Sequence, residues 1–544
     1  MAKKKKTKDE KLTELGSFIA ASDSGYELYS DAFKQLTYVY LMIMNEELKN
    51  DLKEREKSNI FFPAVNNRVK RGVADMNATY FSTDEYCSLE ADFGADSESV
   101  KAVKKLQLAV NYYTANSMDM FESLSPTFYY SWIVGNVPIM VFWGKDAPVI
   151  RFKSIDEVKF DPNAETFKDC RYVTVEYRLT KDEIEDLTKA KVFNKSLFNI
   201  ESLNPSSSNS NIEDDRFGRV NLVDVYVRER DQWTVSTLYD KTIPLRIEAI
   251  CNDGLPVVFG GMIPQIISPD ERQAVKVYYD SPIASLSPLQ LEFNIRRNQQ
   301  IDAVGETVNP SLLALEGSGL DPKKMKSGSG KVLLVKSLNA IREMPVPDLR
   351  GLAIDVQQLE KEMDETAGTM DIGMTAIKQN NTATAASIQA GESSSRRESY
   401  MTSYRESVMK PLMTKIAMLV WKYGDERFFR GVDRSKNIKF NVAVHAGLGA
   451  TNKEIQKRGL MEAYAMFKDT QDIENMRRIQ KEILPLFGVK NLNEYFPELR
   501  GGSEDGDIGG DVQRIGRLGE FARMADLSAD DRGEYGSVTE IVQE

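Results

Sequence analysis

Apolar positions recur at helical spacing near both ends of this chain and alternate as in strands between them. Ala32 to Lys53 predicts a helix whose apolar face carries Phe33, Leu36, Tyr40, Leu41, Ile43 and Leu48. Asn59-Ile-Phe-Phe-Pro63 breaks it, and helical patterns resume over Val65 to Tyr80 and Val100 to Leu124. From Pro148 to Leu179 the pattern turns to strands. Val149 to Phe152, Val158 to Phe160 and Tyr172 to Tyr177 are short runs rich in β-branched and aromatic residues. Asp161-Pro-Asn163 is a turn between two of them. Asn204 to Asp215 is a low-complexity loop, Val220 to Arg228 and Gln232 to Tyr239 predict a hairpin, and more short strands follow to Tyr279.

Helical periodicity then returns through Leu286, Leu289, Phe293, Ile301, Val304 and Val308, and Asn309-Pro310 stops it. An insert of short strands follows, including Lys331 to Val335, with a basic Gly/Ser turn at Lys323, Lys324, Lys326 and Ser327 to Gly330. Leu352, Val356, Leu359 and Met363 mark a second rod, which breaks into the small, mostly uncharged loop Thr369 to Ala383. A longer helix comes next, with Met401, Tyr404, Val408, Leu412, Ile416, Leu419 and Tyr423 on one face and Pro411 in its interior. Two rods joined by such a tip make sense where the tip projects from a packed wall into an open space. Asn437 to Val444 reads as one more strand and Asn452 to Lys481 as mostly helical, while the chain after Pro497 is Gly- and Asp-rich and loose. The fold class expected is α+β.

The uncharged stretch Ser123 to Gly144 imitates a membrane span, but Pro126, Gly135, Asn136 and Pro138 cut it well short of about 20 apolar residues. It reads better as a buried helix ending near Val134, a Gly-Asn turn and the core strand Ile139 to Trp143, in a soluble protein. At 544 residues the chain is too long for one small core, and 41% hydrophobic with 28% charged residues makes it globular. The net charge of -11 argues against a protein that coats nucleic acid by bulk electrostatics. Cys87, Cys170 and Cys251 lack CxxC spacing, which argues against a disulfide framework or zinc site and fits folding in a reducing cytosol. Residues 1–30 begin with a lysine-rich polar stretch lacking an export h-region and read as a flexible basic arm.

Catalytic signals are poor. The single histidine, His445, allows no His-based triad or metal cluster. Ser327-Gly-Ser-Gly-Lys331 is not a P-loop: Met325 stands at the first glycine, Val332 replaces the magnesium-binding hydroxyl, and no core strand precedes it. Asp214-Asp215 and Asp530-Asp531 lie in polar loops, where adjacent acids are solvated rather than tuned. The acidic helix Asp355 to Glu365 is a solvated face or a channel lining that repels phosphates. No enzyme activity, cofactor or metal is expected.

The order of these pieces resembles the portal (head-to-tail connector) proteins of tailed bacteriophages, most closely the short-tailed type, from about Ser58 to Pro497. Ser58 to Pro63 with the helix to Tyr80 looks like the start of the family's wing. Gly135 before the strand Val137 to Trp143, Ile155 to Pro162 and Tyr172 to Ile184 are similar to its wing segments. Ser281-Pro-Ile-Ala-Ser-Leu-Ser-Pro-Leu-Gln-Leu-Glu-Phe-Asn-Ile-Arg-Arg-Asn-Gln-Gln-Ile-Asp302 is the most specific piece and looks like the first stem helix.

The resemblance implies a wing over residues 31–285, stem helices over 286–308 and 352–368, and a clip over 309–351. It further implies a tunnel loop over 369–383, a long helix over 384–424 kinked by Pro411, a return strand over 425–450, a crown over 451–500 and a flexible tail over 501–544. Such a chain forms a homo-dodecameric ring at one capsid vertex of the virion, assembled in the host cytoplasm. Double-stranded DNA is packaged and ejected through it without sequence readout. Its partners are itself, the major capsid protein, the terminase large subunit, and head–tail adaptor and tail proteins, and it has no membrane role. Met374, Lys378, Gln379, Asn380 and Asn381 would line the narrowest point, and Lys323, Lys324, Lys326 and Lys331 would lie on the clip that meets terminase or adaptor. The chain departs from the family in its short C-terminal part, which leaves no long helical barrel, and in having Lys378 as the loop's only cation. The competing classes are another virion structural protein, such as an adaptor or scaffold, and a nucleotide-dependent enzyme with an unrecognised site.

Overall fold

The computed structural model describes residues 7–44, 46–55, 57–81, 85–203, 219–230, 232–265, 275–308, 312–314, 341–343, 349–368, 398–435 and 438–444, with isolated residues between 460 and 480. The chain divides into two units, residues 1–450 and 451–544. In the second unit the description is limited to fragments, in which the Gln480 amide donates to the Tyr464 hydroxyl at 3.1 Å. The segment expected as a crown therefore lies mostly outside the described residues.

The first unit opens with α1 (Lys8–Leu41). This corrects the expected flexible arm: from Lys8 onward the segment is helical and docked. Thr7 and Glu10 form a capping box, the Thr7 hydroxyl accepting from Glu10 N at 3.4 Å and the Glu10 carboxylate accepting from Thr7 N at 2.8 Å. Leu15 and Ile19 then bury against Val223, Val225 and Leu238. The helix ends at Met42, which is left-handed (φ 60°), so the expected helix Ala32 to Lys53 is divided between α1 and α2 (Glu46–Glu54). The expected helix Val100 to Leu124 is likewise two helices. After α3 (Ala64–Tyr80) come α4 (Ser97–Asn116), capped by Asp96, and α5 (Met120–Ile133).

Fourteen strands are described. β1 (Cys87–Ala91) pairs antiparallel with β14 (Phe440–Val444). β2 (Asn136–Trp143) lies between β3 (Pro148–Phe152) and β9 (Val257–Gly261) in a three-stranded sheet. β4 (Val158–Phe160), β5 (Tyr172–Leu179), β6 (Val220–Glu229), β7 (Gln232–Tyr239) and β8 (Ile243–Ile250) form a five-stranded antiparallel meander. β10 (Ile263–Pro264) pairs with β11 (Tyr279–Asp280), and β12 (Leu312–Ala314) with β13 (Ile341–Glu343). The predicted hairpin is present, with Val227 opposite Thr234. The strand reading of Lys331 to Val335 and the loop at Asn204 lie outside the described residues.

The meander buries α1 on one face, where Ser22 Oγ meets Thr174 Oγ1 at 3.1 Å and Lys159 holds Asp23 at 2.6 Å and Glu176 at 3.0 Å. On the other face α6 (Lys181–Lys189) covers it, with Ile184, Phe193 and Leu203 against Leu222 and Leu245. The same face holds a buried carboxylate, Asp224, which accepts from Tyr177 at 3.1 Å, Tyr226 at 3.2 Å and Arg246 at 3.0 Å. That set of donors meets the cost of burying charge.

The imitation span resolves as the sequence predicts: α5 stops at Ile133, Gly135 turns with φ +83°, and β2 follows. A Cβ on Gly135 would press into the Asp280 peptide, within 2.8 Å of Ser281 N. Among the described residues no helix is long and apolar enough to cross a membrane. The main core gathers α3, α4, α5, the β1–β14 pair, the β3–β2–β9 sheet and the helices α7 (Leu286–Val308), α8 (Leu349–Ala367) and α9 (Lys410–Tyr423).

Candidate functional site

Helices α7 and α8 pack along one another, and both are tied to α3. Each has an identifiable cause. α8 buries Val356, Leu359 and Met363 of the predicted face and adds Ala367, while Leu352 is only half-buried. α7 buries Leu286 and Phe293, but its core-facing stripe also contains Gln290, Asn294 and Asn298, which are 1%, 5% and 6% exposed. Such polar burial needs partners, and the segment Ser58 to Phe62 supplies them.

Asp302 Oδ1 accepts from Ser58 N at 3.1 Å and from its hydroxyl at 2.6 Å. Asn298 Oδ1 accepts from Ile60 N at 3.0 Å while its Nδ2 donates to Ile60 O at 2.8 Å. Asn294 Oδ1 accepts from Phe62 N at 3.0 Å. Gln290 Oε1 accepts from Val65 N at 2.8 Å, and its Nε2 donates to Phe62 O at 3.0 Å. Four residues along a helix rise about 6 Å, and two residues of extended chain advance about 6.6 Å. A row spaced by four on α7 can therefore serve a chain read every second residue, and the pairing order runs the strap antiparallel to the helix. Gln290 also caps α3, whose N-cap residue Pro63 has no side-chain oxygen.

Arg68 of α3 reaches α8. Its guanidinium donates to Ala64 O at 2.9 Å and Glu360 O at 2.9 Å, and pairs with Asp364 at 2.8 Å. Burial pushes the Asp364 carboxyl above its ordinary range despite Arg68 and Arg71, and burial also lowers Arg68. Arg296 of α7 faces Asp355 of α8 at 3.2 Å.

The helix from 398 onward is held by aromatic packing. Tyr404 is fully buried between Tyr80 and Phe128, and its hydroxyl meets Thr127 Oγ1 at 2.8 Å. Tyr80 donates to Met401 O at 3.0 Å. Residues Arg405 to Met409 form a π-helical turn, with Lys410 N–H bonding Arg405 O. Pro411, expected as the cause of a kink, lies in the first turn of α9 directly after it. Proline cannot donate to the Ser407 carbonyl and crowds it, so a wider turn at this point has a physical cause. Ser407 Oγ donates to Gly261 O at 2.8 Å and accepts from Gly261 N at 3.2 Å. A Cβ on Gly260 would lie 2.7 Å from the Ser407 carbonyl.

The predicted channel residues Met374, Lys378, Gln379, Asn380 and Asn381 and the clip lysines Lys323, Lys324, Lys326 and Lys331 lie outside the described residues, as does His445. Sequence reasoning missed the α7 row and Arg68. Gln290, Asn294, Asn298 and Asp302 are spaced by four and thus share a face, which was the available signal.

Residues 295–510 match the family described as Phage SU10 portal protein. No curated protein matches the chain. The match supports a phage portal protein, and SU10 is a short-tailed phage. It begins within α7, so the wing-like segments before it rest on the sequence resemblance.

Proposed function

We propose that this chain is the portal subunit of a short-tailed phage, forming the dodecameric ring through which double-stranded DNA enters and leaves the capsid. The observation that carries the reading is the family match over residues 295–510, which takes in most of α7, α8 and the helix through α9. In this reading α7 and α8 are the stem helices, residues between them the clip, and the strap Ser58 to Phe62 with Arg68 fixes the stem to the wing. Residues 369–383 form the tunnel loop, with Met374, Lys378, Gln379, Asn380 and Asn381 at the narrowest point. The helix beyond is bent at the π turn and Pro411.

The chemistry asked of such a channel is weak contact. Each chain carries a formal charge of -11, so the assembled ring repels phosphate overall and does not grip DNA. Exposed acids of α8, among them Glu360 and Glu362, add to that repulsion where they face the lumen. Polar loop residues then touch phosphates transiently and read no sequence. The clip lysines Lys323, Lys324, Lys326 and Lys331 meet terminase during packaging and adaptor or tail proteins afterwards, and the motor's ATP hydrolysis belongs to terminase. The ring sits at a vertex of the capsid in the virion, in contact with the major capsid protein.

Deleting Thr375 to Asn381 tests the loop assignment. Rings are expected to assemble with DNA packaging or retention impaired. A deletion that prevents ring formation would make this segment a structural joint.

A further inference from the structure

α1 is a continuous helix docked against two separate apolar clusters. Its second half belongs to the main core, where Tyr26, Tyr29, Phe33, Leu36, Val39 and Tyr40 pack. Tyr29 and Phe33 meet the Tyr278 ring with centroids 5.1 Å and 5.8 Å apart. The Tyr29 hydroxyl accepts from Val275 N at 3.1 Å, and Tyr40 O accepts from Asn66 Nδ2 at 3.0 Å. The first half belongs to a smaller cluster that shares no buried member with the main core. Leu15 and Ile19 are its buried apolar residues, set against Val223, Val225 and Leu238 of β6 and β7. Phe18 stacks on Tyr172 with centroids 4.6 Å apart. Polar contacts complete the docking: Lys11 with Glu248, Ser22 with Thr174, and Asp23 with Lys159 and Lys241, both at 2.6 Å.

The two halves meet at Ser22-Asp23-Ser24-Gly25, a run of consecutive poor helix formers. Ser22 Oγ also donates to Ile19 O at 2.9 Å, a back-bond of the kind that weakens and bends helices. From Gly25 onward the helix is tightly seated: a Cβ there would lie 3.2 Å from Pro162 Cβ and 3.3 Å from Val275 Cγ2. The helix is therefore weakest where its anchoring changes. Ordering the first half costs conformational entropy at every residue, and a pair of buried side chains with partly screened ion pairs offsets that only narrowly. Segments with so few apolar contacts open locally at low free energy.

We propose that the first half of α1 is a latch. It releases from the β6–β7 face as a unit, hinged at Ser22 to Gly25, while the second half stays docked and the core stays folded. Release bares Val223, Val225 and Leu238 and frees Lys159 and Lys241 from Asp23, so the latch is a cover over an apolar sheet face. The device works within one chain and is independent of the ring reading. Hydrogen exchange followed by mass spectrometry on the full-length protein tests it, with far-UV circular dichroism confirming that each variant folds.

Amides of residues 12–21 are expected to share one protection level and to exchange at least tenfold faster than those of residues 26–41, with the step at 22–25. Asp23→Asn should speed residues 12–21 about tenfold. Gly16→Ala, whose Cβ would meet nothing within 4 Å, should slow them about fivefold through helix propensity. Phe33→Leu loosens the second half and should leave residues 12–21 unchanged, because Phe33 stays docked when the latch opens. Equal protection along the whole helix, or acceleration of residues 12–21 by Phe33→Leu, would make α1 one rigid piece and overturn the latch. Exchange that quickens smoothly toward Thr7 with no step would mean simple end fraying and would overturn it equally.

Discussion

The side chain of Asn298 stands in for a neighbouring strand to Ile60: its oxygen accepts the Ile60 N–H at 3.0 Å and its nitrogen donates to the Ile60 carbonyl at 2.8 Å. Asn136 treats Tyr279 in the same way, at 2.8 Å and 2.9 Å. Both asparagines are buried, although Ile60 itself is 48% exposed, so water can reach part of the strap. Asn298→Ala should cost about 1–2 kcal/mol, since it removes two hydrogen bonds to a partly solvated strap and leaves Asn298's buried site empty. Urea unfolding measures the loss, and amide exchange at Ile60 and Phe62 should accelerate in that variant. A loss below about 0.5 kcal/mol would mean the strap does not depend on the row.

Gly260 is required because Ser407 backbone lies where a side chain would begin. Gly260→Ala should destabilise by about 1–3 kcal/mol through overpacking. Ser407→Gly in the same chain should not rescue it, because the obstacle includes the carbonyl. Thermal unfolding of the two variants and their combination checks this.

Arg68 links α3 to α8 from a largely buried position. Arg68→Ala should cost about 2 kcal/mol, as it leaves the partly exposed Asp364 with the Arg71 charge alone. Burial already raises the Asp364 carboxyl, so the folded state holds that proton more readily than the unfolded chain. Its ionisation therefore costs stability as pH rises. The deficit of Arg68→Ala should shrink as pH falls toward protonation of Asp364, and Asp364→Asn should recover part of it at neutral pH.

Asp23 behaves in the opposite sense. Burial pushes its carboxyl up, but hydrogen bonds and charges from Lys159 and Lys241 outweigh that and hold it below its ordinary value. Its contribution is present above the unfolded value near 3.8 and is lost as pH falls through the lower folded value. Asp23→Asn should cost about 1–2 kcal/mol at pH 7, and the gap to wild type should close below about pH 4 as unfolding midpoints are compared.

Much of this was legible in periodicity. The buried stripes of α8 and the helix through Leu419, the Gly135 turn and the β6–β7 hairpin all follow from spacing that one element fixes by itself. What was not legible depends on two distant segments meeting. The lysines before Lys8 suggested a free arm, yet the Thr7–Glu10 box starts a helix and Leu15 and Ile19 find a sheet more than 200 residues away. Gln290, Asn294 and Asn298 look like a wet helical face until the strap is laid on them. Pro411 signalled a disturbance in the helix, but the docking of its π turn on Gly261 through Ser407 joins residues far apart in the chain.

The central claim is that copies of this chain close into a ring around a channel. Negative-stain electron microscopy of the purified full-length protein tests it most directly. The account predicts rings with a central hole, radial wings and twelvefold symmetry. A protein that remains a compact monomer at all concentrations and salt conditions would contradict it.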